Sequence, residues 1–162
     1  MLLAVKSLMD RLCRLIEYTL AALLTVMTAV ILLQVFCRFV LSTGFHWSEE
    51  LARYLFIWMT MLAASVAVHR KENLGISVFV DMLPPSGRKL CRLLVEAGCL
   101  VLFGHIAWYG WKILPIVGRQ TSASLQVNMI LPYTAVFLSA VLMGTSTIIA
   151  LVEILRGKED AA

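Results

Sequence analysis

Residues 18–37 read YTLAALLTVMTAVILLQVFC, twenty positions without a formal charge between Glu17 and Arg38. As an α-helix such a run rises about 30 Å, the thickness of the hydrocarbon core of a bilayer. Three further apolar stretches follow within 162 residues, so the chain reads as an integral membrane protein. Composition agrees: 60% of residues are hydrophobic and mean hydropathy is +0.87, against about 45–50% apolar in soluble domains. The net charge is +4. The fourteen basic residues fall between the apolar runs and not in one block, a distribution suited to lipid headgroups and not to nucleic acid. Cys13, Cys37, Cys91 and Cys99 form no CxxC pair, so neither a disulfide framework nor a metal site is expected. Lys6, Arg11 and Arg14 precede the first run as in a signal peptide, but the run exceeds the usual length of about 7–15 residues and no A-x-A site follows. It is read as a retained first span.

The expectation is an all-α protein forming a single membrane domain over residues 1–162, with four transmembrane helices at about 17–40, 51–69, 93–114 and 129–152. The second is assembled from Leu51 to His69, because the strictly uncharged part, Tyr54 to Val68, is too short to cross; Arg53 then snorkels toward a headgroup. The third has Glu96 and Lys112 near opposite ends and Trp108, Tyr109 and Trp111 gathered as an interfacial belt. Gln120 to Val152 is uncharged for 33 residues, about 50 Å of helix and too long for one span. Its polar start, TSASLQVN (121–128), therefore reads as an extramembrane loop, and Pro132 falls in the first turn of the fourth helix, where a missing N–H costs least. Ala63 with Ala67 and Ala140 with Gly144 are small-xxx-small pairs that let helices approach closely.

Assigning Lys and Arg to loops gives ten on the side of both termini and the loop between spans two and three, against four on the other. Positive loops stay cytoplasmic, so both termini are expected inside. In the central loop NLGISVFVDMLPP (73–85), Ile76, Phe79, Val80 and Leu83 recur at i, i+3, i+4 and i+7. That is the pattern of a short amphipathic helix, about 74–83, lying in the membrane plane; a loop whose apolar residues touch the bundle is the alternative. Ser86 offers an N-cap for the third span. Arg70, Lys71, Arg88, Lys89 and Arg92 are candidates for lipid headgroup contacts.

No Asp, Glu, Lys or Arg is central in any span, where a proton or Na⁺ carrier normally places one. Gln34 and the Ser and Thr residues of spans one and four suit interhelical hydrogen bonds. His46, His69 and His105 lie at unmatched depths, which argues against paired haem ligation; His105, near mid-membrane, is expected to pack against a polar neighbour. No nucleophile triad, phosphate loop or paired carboxylate is present, so neither enzyme chemistry nor a cofactor is expected. The densest polar cluster is FHWSEELARYLFIW (45–58). Ser48 suits an N-cap with Glu49 and Glu50 in the first turn, and Glu49 and Arg53 are spaced for an i, i+4 pair. Trp47, Glu50, Leu51, Tyr54 and Trp58 line another face, read either as an interfacial anchor or as a partner-docking face.

EELARYLFIWMT (49–60), directly after a first span ending QVFCRFVL (34–41), is similar to the signature of the small membrane subunit of tripartite ATP-independent periplasmic (TRAP) transporters. That pattern has Trp-x-Glu-Glu-Leu-x-Arg-Tyr, met here by Trp47, Glu49, Glu50, Leu51, Arg53 and Tyr54. The resemblance continues through VDMLPP (80–85) and the passage from TSASLQV to LPY (121–133), and covers most of the chain. Leu74 and Asn128 depart from the residues that many relatives carry. The resemblance implies a bacterial inner-membrane accessory subunit that scaffolds a large permease subunit, works with a periplasmic substrate-binding protein and serves Na⁺-driven uptake of an organic acid. It places docking on Trp47, Glu50, Arg53, Tyr54 and Trp58 and the substrate site elsewhere; dicarboxylates, keto acids and sialic acid remain open. A membrane anchor or electron-transfer subunit of a respiratory complex, and a small self-sufficient exporter, are the competing classes.

Overall fold

The computed structural model describes residues 2–40, 46–70 and 85–156, and the side chains of 6–40, 47–70 and 87–156. Among the described residues there are four helices: α1 (Leu2–Val40), α2 (His46–His69), α3 (Pro85–Val117) and α4 (Ile130–Leu155). Each contains a stretch long and apolar enough to cross a membrane. All four expected spans are found, and α1 and α3 extend well past the apolar runs that announced them. α1 has 39 residues, about 58 Å of helix, so its first turns stand outside any hydrocarbon layer. The helix continues through Lys6, Asp10, Arg11 and Arg14 because no Gly or Pro interrupts it before the apolar run. The proposed in-plane helix, 74–83, and Lys71 lie outside the described residues, as does the side chain of Ser86.

The helices pack in the order α1, α2, α4, α3, and α1 meets α4 only marginally. α4 is therefore central. Pro132, Ala135, Ser139, Ala140, Thr147 and Ala150 are among its buried positions, and these small side chains let its neighbours approach from two sides. Gly110 of α3 abuts Phe137 of α4, where an added Cβ would lie 3.4 Å from the Phe137 Cβ, while Gly144 faces Phe103. The Ala140 and Gly144 pair thus serves the α3–α4 region, as its spacing suggested. The Ala63 and Ala67 pair does not serve a close seam: Ala63 is exposed, because the buried stripe of α2 runs through Tyr54, Leu62, Ser65 and Val66.

At one end of the bundle, charged side chains tie α1 to its neighbours. Lys6 pairs with Glu153 of α4, and Glu17 with Arg70 just beyond α2. His69 closes the group: its Nε2 lies 2.8 Å from Asp10 Oδ1 and its Nδ1 3.2 Å from the Ser146 hydroxyl. An ionised carboxylate only accepts, so Nε2 carries the proton and donates to Asp10, while the Nδ1 contact with Ser146 reaches α4. One imidazole thereby joins α1, α2 and α4.

Candidate functional site

The 45–58 cluster sits at the opposite end, where α2 begins. α2 starts at His46, so Ser48 falls inside the first turn and is buried instead of capping the helix from outside. Glu49 accepts a hydrogen bond from Gln34 Nε2 of α1 at 3.2 Å. The i, i+4 ion pair with Arg53 is not formed; Arg53 is exposed and makes no ion pair among the described residues.

Glu50 is turned into the protein. Its Oε1 accepts from the Tyr54 hydroxyl at 2.6 Å, and its Oε2 accepts the backbone N–H groups of Ser124 at 3.0 Å and Leu125 at 3.1 Å. A carboxylate that takes three donors from two segments is a strong fixing point, since hydrogen bonds to ionised acceptors are shorter and stronger than neutral ones. Tyr54 is buried and also touches Met129 Sδ at 3.5 Å. Trp58 donates from Nε1 to the Leu131 carbonyl at 3.2 Å. Three of the five expected docking residues, Glu50, Tyr54 and Trp58, therefore grip the connection between α3 and α4. Trp47 and Arg53 are the two exposed members.

That connection, residues 118–129, is folded. Ser122 N–H bonds the Val127 carbonyl at 2.9 Å and Met129 N–H bonds the Gln120 carbonyl at 3.0 Å, while Gln126 takes a φ of 53°, a left-handed conformation that lets the chain reverse. Asn128 joins the two helix ends. Its Nδ2 donates to the Gly118 carbonyl at 2.8 Å, and its Oδ1 accepts Ile130 N–H at 2.9 Å, satisfying one of the otherwise unpaired donors at the start of α4. Sequence reading treated 121–128 as a plain polar loop and left Asn128 without a role. Its Ser and Asn content was the available signal, since both residue types bond nearby backbone in turns.

Of the headgroup candidates, Arg70 is paired with Glu17, Arg88 and Arg92 are half-buried, and Lys89 is exposed. His105 is exposed on α3, and its Nδ1 lies 3.0 Å from the Val101 carbonyl of its own helix; the expected polar neighbour is backbone. Among the described residues no group of His, Cys, Asp and Glu is arranged to hold a metal ion.

Residues 27–157 match the model of the family described as tripartite ATP-independent periplasmic transporters, DctQ component. The sialic acid TRAP transporter small permease protein SiaQ of Vibrio cholerae is 34% identical over 90 residues, 56% of this chain and 52% of that protein. The C4-dicarboxylate TRAP transporter small permease protein DctQ of the same organism is 29% identical over 98 residues, 59% of this chain and 42% of that protein. The isethionate TRAP transporter permease protein DctMQ of Oleidesulfovibrio alaskensis is 29% identical over 99 residues, 60% of this chain and 16% of that protein. The chain thus spans about half the length of the small permease relatives and about a sixth of the longer one. With a match over most of its length and four helices able to cross the bacterial inner membrane, the chain belongs to the DctQ small permease component family of TRAP transporters.

Proposed function

We propose that this chain is an accessory permease subunit of a Na⁺-driven, binding-protein-dependent TRAP transporter for an organic acid, scaffolding a large permease subunit and holding no substrate site of its own. The observation that carries the reading is what its polar side chains do: Glu50, Tyr54, Trp58, Asn128, His69 and Arg70 all bond within the chain, and all but Trp58 lie toward helix ends. Groups engaged in fixing helices to one another suit a rigid brace better than an ion relay, which needs an ionisable group deep in the bundle. Relatives named for sialic acid, isethionate and C4-dicarboxylate uptake support an organic anion as the transported class. The basic residues support an orientation with both termini inside, with Lys89, Arg88 and Arg92 against cytoplasmic headgroups.

Docking at the α2 end then falls to Trp47 and Arg53, the two of the five expected docking residues with exposed side chains. Arg53→Glu is the clean probe, because Glu50→Lys would also dismantle the 118–129 connection. The test is co-expression with the large permease, extraction in mild detergent and reconstitution. The wild-type chain is expected to recover the large subunit, to move no solute by itself, and to support Na⁺-dependent uptake only together with the large subunit and binding protein. Solute movement by the chain alone would refute the reading in favour of a self-sufficient exporter. Recovery and uptake equal to wild type in Arg53→Glu would remove that residue from the docking surface.

A further inference from the structure

The outward face of α3, opposite α4, has a composition that lipid does not explain. Gly98, Val101, His105, Tyr109 and Lys112 recur at spacings of three, four, four and three, so they lie along one stripe, and all five are exposed. At Gly98 an added Cβ would meet nothing within 4 Å, so the absence of a side chain there serves no contact with the described residues. Gly110, by contrast, is closed by Phe137. His105 lies thirteen residues from Arg92 and seven from Lys112, about 20 Å and 10 Å along the helix, hence inside the hydrocarbon if those two cations stand at headgroups. A carbonyl oxygen only accepts, so the contact with Val101 fixes the proton on Nδ1. In the neutral imidazole Nε2 is then a bare acceptor, with no partner among the described residues. Lipid chains offer no donor, and an unsatisfied polar atom at that depth is costly.

We infer that the Gly98–Val101–His105 face of α3 is the intramembrane seam for a transmembrane helix of the large permease subunit, which presents an N–H or O–H donor to His105 Nε2 and seats a bulky side chain over Gly98. The inference rests on the accessory-subunit reading. The occupant is argued from polar complementarity, since lipid cannot supply the donor, and from DctMQ, a permease protein in which the stretch matching this chain is only a sixth of one much longer polypeptide. The exposed surface of α1 gives no such reason for a partner: Thr19, Thr25 and Thr28 all donate to carbonyls of their own helix and so tolerate lipid.

The test uses the full chain co-expressed with its large permease. A photo-reactive benzoyl-phenylalanine replaces Val101, or Leu32 on α1 as the comparison, and recovery in mild detergent is measured for Gly98→Leu, His105→Leu and His105→Gln. A covalent adduct to the large subunit is expected from position 101 and not from 32. Gly98→Leu is expected to lower recovery about tenfold, the loss an overpacked seam produces, without shifting the melting of the chain alone. His105→Leu should lower recovery as well, and His105→Gln, which keeps an acceptor, should restore it. An adduct only to a second copy of this chain, or no adduct at 101 with wild-type recovery in Gly98→Leu, overturns the seam while leaving the accessory role intact. A wild-type chain that recovers no large permease overturns the accessory reading and the seam with it.

Discussion

Thr147→Val is expected to stabilise this protein. Thr147 is 1% exposed, and its hydroxyl has no hydrogen-bond partner among the described residues. The other described helical threonines donate to carbonyls three or four residues back in their own helices: Thr19, Thr25, Thr28, Thr60, Thr134 and Thr145, at 2.7–2.9 Å. A separated α4 in a membrane or micelle would allow Thr147 the same local bond, so assembly of the helices costs this side chain a bond that its counterparts keep. Burying an unpaired hydroxyl costs about 1–3 kcal/mol, and bonds of this kind within membranes average about 0.6 kcal/mol, so the gain on replacement is taken as about 1 kcal/mol. Valine keeps the branched shape and exchanges the hydroxyl for a methyl, leaving no cavity. Serine keeps the hydroxyl and removes the methyl, so Thr147→Ser should instead lose stability. The assay is equilibrium unfolding in mixed micelles with increasing SDS, followed by helical circular dichroism, or thermal melting, where a shift of roughly 2–4 °C per kcal/mol applies to a chain of this size. A loss of 1 kcal/mol or more in Thr147→Val would refute the reasoning and give the hydroxyl a partner.

Three further outcomes follow from the packing. Glu50→Gln replaces an oxygen that accepts two backbone N–H groups, or the one that accepts from Tyr54, with a donor; amide exchange at Ser124 and Leu125 should rise roughly tenfold while the middle of α4 is unchanged, as expected for local opening. His69→Ala removes the side chain joining Asp10 and Ser146 and should cost about 1 kcal/mol, read as an earlier unfolding transition and greater protease access at the start of α1. Gly110→Ala should be close to neutral, since its Cβ would make an ordinary contact with Phe137, whereas Gly110→Leu overpacks the α3–α4 seam and should cost about 1–3 kcal/mol in the same melts.

Much of the architecture was legible because it depends on local quantities. An uncharged run of about twenty residues is a helix of membrane thickness wherever it sits, and Pro132 marks the start of α4 because its ring excludes a helix interior. The sequence by itself therefore determined the four spans, the 121–128 connection, and the Trp47–Trp58 motif that places the chain near its relatives. It also drew attention to Ala140 and Gly144, whose spacing matches the α3–α4 packing. It gave Ala63 the same reading, but which stripe of the apolar second half of α2 turns inward is settled by its neighbours. The role of Glu50 was out of reach for a different reason: the two N–H groups it accepts lie 74 and 75 residues further along the chain, and no periodicity links them. His69 meets Asp10 and Ser146 across 59 and 77 positions, and Asn128 reaches Gly118 only because the loop folds back on itself. Hydrophobic length and helical period are written along the chain, whereas the partners of its few polar atoms exist only once α1, α2 and α4 have packed, and the tertiary structure alone decides them.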